Sequence, residues 1–411
     1  MSHLLRRVMF GPTSAEVDAA LRSGVERTVT AALTPATPVN MPEIGAEPQA
    51  SDKTDKTARQ QARQAQQKQV TAALGWWLER MAADRTGAEK LVFFWHGHWA
   101  TSAQKVRSAH LMLGQQQTFR RYGAGDTGAF VRAMLRDPAL IIWLDGQKNT
   151  RKAPNENLAR ELMELFTLGV GHYTENDVKA GAHVLTGWVV DKTTGRATLE
   201  PARHDDSAVT LLGRTGTFDV DAYADLLTRN EHHLPFLAER LWIRYGSGSA
   251  PPAAATSRIV AAGRTGTALL RAVLTDPEFP GTNGQLVKQP VEWLIGAVRQ
   301  LGLDVAKVRA PAVLRSLGQV PFRPPSVGGW PVGDAWLTTS STEARIRTGQ
   351  ALAAQAEAAT ARLTGSDRLE ALADLLVIDG WSDRTKAALT GVQDPRRLLA
   401  LGLASPEYAV H

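Results

Sequence analysis

Apolar positions recur with a period near 3.6 along most of this chain, and that spacing predicts helices almost throughout. Ser14 to Leu33 reads as an opening helix, with Ser14 as N-cap and Pro35 as its stop. Arg59 to Met81 is rich in Gln and Ala until Leu74-Gly75-Trp76-Trp77-Leu78, so a long helix docks at its end only. Lys90 to Leu113 and Asp126 to Arg136 follow, and Thr174-Glu175-Asn176-Asp177 opens a helix that ends near Gly187 in the manner of a capping box. Further helices are expected at 221–227, 234–245, 259–274, 291–301, 312–317, 343–363, 368–376 and 395–403.

Four stretches break the pattern. Residues 35–57 have no periodicity and read as a disordered insertion. Residues 188–218 carry short β-rich runs between Thr-Gly and Pro turns, which predict a small β-hairpin excursion. Residues 246–256 are a Gly/Ser/Pro/Ala linker, and residues 318–338 form a long Pro/Gly/Trp loop that regular structure cannot accommodate. The expected fold is mainly α: one large multi-helical domain over 1–411.

The segment Pro154 to Gly169 is the most informative. Asn155 is a suitable N-cap and Gly169 a suitable stop, because glycine tolerates positive φ. At roughly 100° per residue, Leu158, Ala159, Leu162, Leu165 and Phe166 fall on one arc. Glu156, Asn157, Arg160, Glu161 and Glu164 fall on the other. Such a face is either ordinary surface, laced by i,i+4 pairs, or a wall of a site.

Composition narrows the function classes. The chain has 411 residues, no cysteine and a formal net charge of +6. Thiol nucleophiles and thiolate metal sites are therefore excluded. No apolar run is long enough to span a bilayer, and no block of like charges supports nucleic-acid binding. The first residues lack the apolar segment of a signal peptide, so the expected location is cytoplasmic. There is no phosphate-binding loop, dinucleotide fingerprint, Gly-x-Ser-x-Gly elbow or His-Glu-x-x-His. The 11 tryptophans outnumber the phenylalanines, which allows some of them to line a cleft.

Three further clusters carry chemistry. Phe93-Phe94-Trp95-His96-Gly97-His98-Trp99 embeds two histidines among aromatic rings; they read as two metal ligands if extended, or as core histidines. His204-Asp205 is suited to complete a metal shell or to orient a base. Phe322-Arg323-Pro324-Pro325 through Trp330 to Trp336 is suited to cover a pocket or simply to cap the fold.

These blocks together resemble the bacterial domain-of-unknown-function family 1800. The resemblance rests on His3-Leu4-Leu5-Arg6-Arg7 with Phe10-Gly11-Pro12, Phe94 to His98, Asn155 to Gly169, Tyr173 to Val178, Leu185 to Trp188, His204-Asp205 and Pro324 to Pro331. It departs at Trp99, where many relatives have Phe, and in lacking the export signal that many relatives carry. The resemblance implies an all-helical bacterial fold without an assigned reaction. It also implies a sulfatase- or phosphatase-like partner encoded nearby, and export as an alternative location.

The leading expectation is a hydrolase-like pocket acting on a carbohydrate or envelope-type substrate. Glu161 and Glu164 serve as acid and base, aided by Glu156, Arg160, His98 and His204; Trp95, Trp188, Trp330, Asn155, Asn157 and Arg323 bind. The first alternative is a divalent-metal enzyme using His96, His98, His204, Asp205 and a glutamate. A second is a non-catalytic accessory protein in which the glutamates pair with arginines such as Arg107, Arg323 or Arg345.

Overall fold

Two helices of the chain have almost no solvent-facing side. In the computed structural model, which describes residues 1–35, 39–52 and 54–411, the helices Ala88–His98 and Pro290–Leu301 are buried nearly all round. A helix whose apolar residues extend round most of its circumference is satisfied only inside the molecule, and the few charged groups it carries must then be paired there. The remaining helices wrap these two. Lys56–Ala83 packs on both, Ala109–Tyr122 lies beside the first, and Thr339–Gln355 pairs with Pro395–Leu403 on the C-terminal side. Trp77, Trp95, Trp99, Trp242 and Trp293 are all fully enclosed in one continuous core.

The fold is mainly α, as expected: 23 helices and four short strands among the described residues. The β excursion is two antiparallel hairpins rather than one. Strand β1 (Trp188–Asp191) pairs with β2 (Arg196–Leu199), and β3 (Val209–Leu211) with β4 (Arg214–Gly216). Several long periodic stretches are divided. The opening helix breaks at Gly24 into Ser14–Ser23 and Val25–Ala32, and its N-cap is Thr13, which forms a capping box with Glu16. The stretch 259–274 is likewise two helices, Ala253–Ala261 and Gly266–Leu274, so four residues of the expected linker belong to a helix.

The expectation of a disordered insertion at 35–57 falls partly on residues 36–38 and 53, outside the described residues. The described part is held at several points. Gln69 Nε2 donates to Ile44 O (2.6 Å) and Ala46 O (2.8 Å), and Glu47 accepts from Ser108 Oγ (2.7 Å) beside His110. From Lys56 onward the chain is already helical.

Buried charge ties the core helices together. Glu292, 2% exposed, sits 2.8 Å from Lys90 Nζ, 3.0 Å from Arg244 Nη1 and 3.5 Å from His411 Nε2. Burial pushes the Glu292 carboxyl up, but Arg244, Lys90 and His411 outweigh it and hold the group well below the usual carboxylate range. Lys90 Nζ also donates to Arg6 O (3.0 Å) and Met9 O (3.1 Å), so all three of its protons are used. Burial lowers its pKa to about 8, against the opposing pull of Glu292. A second carboxylate, Glu89, accepts from Arg120 Nη2 (2.7 Å), Arg80 Nε (3.1 Å) and Trp77 Nε1 (2.9 Å).

Asp137 is different. It caps the helix Pro138–Trp143 through Leu140 N (2.8 Å), and its other partner is the neutral Gln115 Nε2 (2.8 Å). Burial without a cation raises its pKa to about 7.

Two outcomes follow from these groups. Replacing Glu292 with Gln leaves Lys90 and Arg244 buried without a counter-charge and costs about 3–5 kcal/mol of stability, measured by urea unfolding. For Asp137, the folded pKa lies above the unfolded one, so the native state alone holds the proton between about pH 4 and 7. Its contribution therefore falls as pH rises through that window. The Asp137→Asn protein gains stability relative to wild type from pH 4 to 7 and keeps a constant margin above it; parallel thermal-melting profiles would refute this assignment.

Candidate functional site

Helix geometry sends His96 and His98 to opposite sides of their buried helix, since residues two apart lie about 200° apart. His96 meets Trp77, Phe322 and Trp330, and its Nε2 accepts the backbone N–H of Phe322 at 2.9 Å. His98 meets Phe94, Trp95, Trp99, Phe166 and Phe236, and its Nε2 lies 3.0 Å from Phe166 O. Burial lowers both pKa values to about 3, so both rings are neutral; for His98 the nearby Arg240 adds to the effect. His98 Nε2 must then carry the proton it gives to Phe166 O. Its Nδ1 is left as a buried acceptor with no partner among the described residues.

Phe166 belongs to the segment that the periodicity assigned to one α-helix. It is not one. The α-helical part is Asn157–Glu161, and Leu162–Thr167 is a π-helix. The wider turn of an i→i+5 pattern moves Met163 into the core and leaves Leu165 half-exposed, so the arc drawn for an ideal helix fails past Glu161. Gly169, at φ +87, ends the segment, and its N–H reaches back to Met163 O (3.0 Å). Two buried histidines hold the last carbonyls: His98 at Phe166 O, and His233 Nδ1 at Thr167 O (3.0 Å). Burial keeps His233 neutral as well, with a pKa of about 4. Sequence reading missed His233, which has no motif around it.

The polar face of this segment is divided. Arg160 forms a bidentate pair with Glu175 (2.6 and 2.9 Å) and a third bond to Glu156 (3.0 Å), which fastens the segment to the helix Glu175–Val184. Asn155 Oδ1 accepts from Asn157 N in a local turn, and Asn157 Nδ2 donates to Leu144 O, so both asparagines shape the entry to the helix. Glu161 and Glu164 differ. Tyr173 OH donates to Glu164 at 2.7 Å, whereas Glu161 has no ion-pair partner among the described residues. Burial and the neighbouring Glu164 charge raise the Glu161 pKa, with Arg160 opposing.

The other expected ligands do not converge. His204 Nδ1 lies 3.0 Å from Thr186 O, and Asp205 pairs instead with His183 Nε2 (3.0 Å) and Ser207 Oγ (2.8 Å). His204 and Asp205 are adjacent in sequence but serve different partners, and His183 is a second histidine that sequence reading passed over. Among the described residues no group of three or more His, Asp or Glu is arranged to hold a metal. The expected shell of His96, His98, His204, Asp205 and a glutamate is not assembled, because its members face different elements. The arginines proposed as partners for the glutamates are also elsewhere. Arg107 donates to Gln104 O, Arg323 to Gln67 and Arg345 to Lys288 O. Trp95 is buried with its Nε1 on Gly123 O, and Trp188 starts β1.

What the fold does bring together is the His98 side of its helix, the helix His233–Tyr245 and the Pro/Gly/Trp loop. They enclose a cleft of about 180 Å³ lined by Phe93, Phe94, Gly97, His98, Arg240, Ile243, Arg244, Gln289, Gly328, Trp330, Pro331 and Val332. The loop is pinned from both ends of Phe322: its N–H goes to His96, and its C=O accepts from Ala103 N (2.8 Å). Gln319 adds two bonds, accepting from Val291 N (3.0 Å) and donating to Gln289 Oε1 (2.8 Å). Gly329, at φ +81, lies so close to the helix that a Cβ there would sit 2.3 Å from Gly97 O. Only glycine permits that approach, and it seats Trp330 against Phe93 and His96.

The electrostatics of the cleft are lopsided. Arg244 is anchored to Glu292 through Nη1, and its Nη2 is buried without a partner among the described residues. Arg240, half-buried, makes no ion pair or hydrogen bond among the described residues; burial lowers its pKa, with exposed Glu239 opposing. A larger open groove of about 680 Å³ lies beside Trp76, Arg80 and Glu89, but there the central charges are already paired with each other. Neither Glu161 nor Glu164 lines the cleft or this groove.

No helix among the described residues is long and apolar enough to cross a membrane. Comparison with curated proteins and with solved structures returns no match. The model of the family described as "Protein of unknown function (DUF1800)" matches residues 3–410. A match over nearly the whole length means that the chain belongs to this family.

Proposed function

We propose that this chain is a small-molecule-binding protein whose ligand occupies the cleft between the His98 helix, the helix His233–Tyr245 and the Pro/Gly/Trp loop. One observation carries the reading: blocks far apart in sequence meet there to make an aromatic-walled concavity with a few convergent polar groups. His98 lines the cleft and stays neutral at physiological pH, so it brings a polar ring there without a charge. Val332, 43% exposed, stands at the rim, so Val332→Trp fills the cleft without disturbing the core. In a thermal-shift screen of small organic acids, alcohols, amides and sugars, hits that stabilise the wild type lose their effect in V332W. A screen in which every hit stabilises both proteins equally would remove the cleft from consideration.

A second reading, hydrolysis by Glu161 and Glu164, is supported by their unequal environments. Tyr173 OH donates to Glu164, while burial and the neighbouring Glu164 favour the protonated form of Glu161. Carboxyl pairs set apart in this way divide into acid and base. The substrate class would be the carbohydrate or envelope-type one, acting alone or beside the sulfatase- or phosphatase-like partner that the resemblance implies. With glycoside and ester panels, Glu161→Gln and Glu164→Gln each lower turnover about 10²–10⁴-fold. A wild type that turns over none of these compounds would end this reading while leaving the binding cleft untouched.

A further inference from the structure

Resting on the cleft reading, we propose that the occupant is a small organic carboxylate, its two oxygens shared by Arg240 and Arg244 and its short apolar body lying against Phe93, Phe94 and Trp330. The cleft contains two guanidinium groups and no carboxylate of its own. Arg244 is already oriented: Glu292 holds Nη1 at 3.0 Å, the side chain is 8% exposed, and the guanidinium carbon lies 6.0 Å from the Phe93 ring centre. Its Nη2 is buried and has no acceptor among the described residues, so the guanidinium is only partly paired. Arg240, four residues earlier and therefore on the same helix face, adds a cation with no carboxylate at ion-pair distance among the described residues. A cation withdrawn from water is an incomplete pair, and an anionic ligand completes it.

The chemistry of the walls selects among anions. Guanidinium forks match the two coplanar oxygens of a carboxylate. The same forks also suit a phosphate or sulfate, but the further oxygens and charge of those anions would face Phe93, Phe94, Ile243, Pro331 and Val332, none of which has a polar side chain. Gln289 is the one further side-chain amide of the lining, and its Oε1 already accepts from Gln319. A fully hydrated anion is excluded for the same reason, because the walls are mostly apolar. The volume, about 180 Å³, is below the roughly 300–1,000 Å³ of a drug-sized site, so the body is short or only the end of a longer molecule enters.

Calorimetric titration of the full chain with hexanoate, hexanamide and inorganic phosphate tests this. Hexanoate binds, and hexanamide, equal in shape but neutral, binds at least tenfold more weakly. Phosphate binds more weakly than hexanoate. Arg240→Gln lowers hexanoate affinity about 10- to 100-fold, as expected for loss of a charge-assisted hydrogen bond, and leaves the melting temperature of the unliganded protein unchanged. Arg244→Lys retains a cation for Glu292, so it folds, and it too weakens hexanoate by removing the second fork. Equal binding of hexanoate and hexanamide, or an Arg240→Gln protein that binds as the wild type does, overturns the carboxylate assignment but leaves the cleft as a binding site. Phosphate binding more tightly than hexanoate also overturns it, in favour of an inorganic-anion site. If none of the three probes binds while neutral compounds still stabilise the wild type and not V332W, only the carboxylate assignment falls; if no compound of any class does, both readings fall.

Discussion

The buried carboxylate of Glu292 is the constraint on which the arrangement of the core depends. It is placed at the start of a helix enclosed on every side, and it faces Lys90 from one helix, Arg244 from another and His411 from the last described residues. Charges so deep are tolerated only when each finds a partner with good geometry. Lys90 extends the network by bonding two carbonyls at the end of the helix Ser2–Val8, Arg6 O and Met9 O. One acid therefore sets the relative position of four segments separated by up to about 400 residues. The same acid orients Arg244, so the polarity of the cleft is a by-product of the way the core is held.

Histidine has a comparable structural role, through its neutral form. His96, His98 and His233 are buried, and each bonds a backbone group that no secondary structure satisfies. His96 receives the loop, while His98 and His233 close the wide turn of the π-helix. Unpaired carbonyls at the end of such a segment would be costly inside the protein. The aromatic setting that made the two-histidine segment suggestive of metal binding is what keeps the rings uncharged and available as single hydrogen-bonding groups. His98 belongs to both systems, since it lines the cleft and holds the π-helical segment that carries Glu164.

Much of the local structure was legible from residue types. The caps at Thr174 and Asp126, the stop at Gly169, the β-rich passage after Trp188 and the irregular loop around Trp330 all follow from short-range chemistry, and each is where that chemistry places it. Less was legible where a long-range contact overrides local preference. The extra residue in the turn after Glu161 is stabilised by His98 and His233, and neither can be inferred from the segment itself. The division of the opening helix at Gly24 was visible as a glycine, but nothing nearby required a break there.

The candidate site shows the same division more sharply. Sequence alone determined that this is a helical, cysteine-free chain, and that its chemistry is concentrated in a few polar and aromatic blocks, because periodicity, capping and composition act over a few residues. It also marked out the two-histidine segment and the Pro/Gly/Trp loop, both of which the cleft uses. Only the tertiary structure decided which blocks meet. It parted His96 from His98, sent His204 and Asp205 to separate partners, and brought Arg240, Arg244 and Trp330 to one cavity. The reason is physical: burial and ion pairing depend on which groups face each other across the core, and a pair such as Lys90 and Glu292 leaves no mark at either position in the chain.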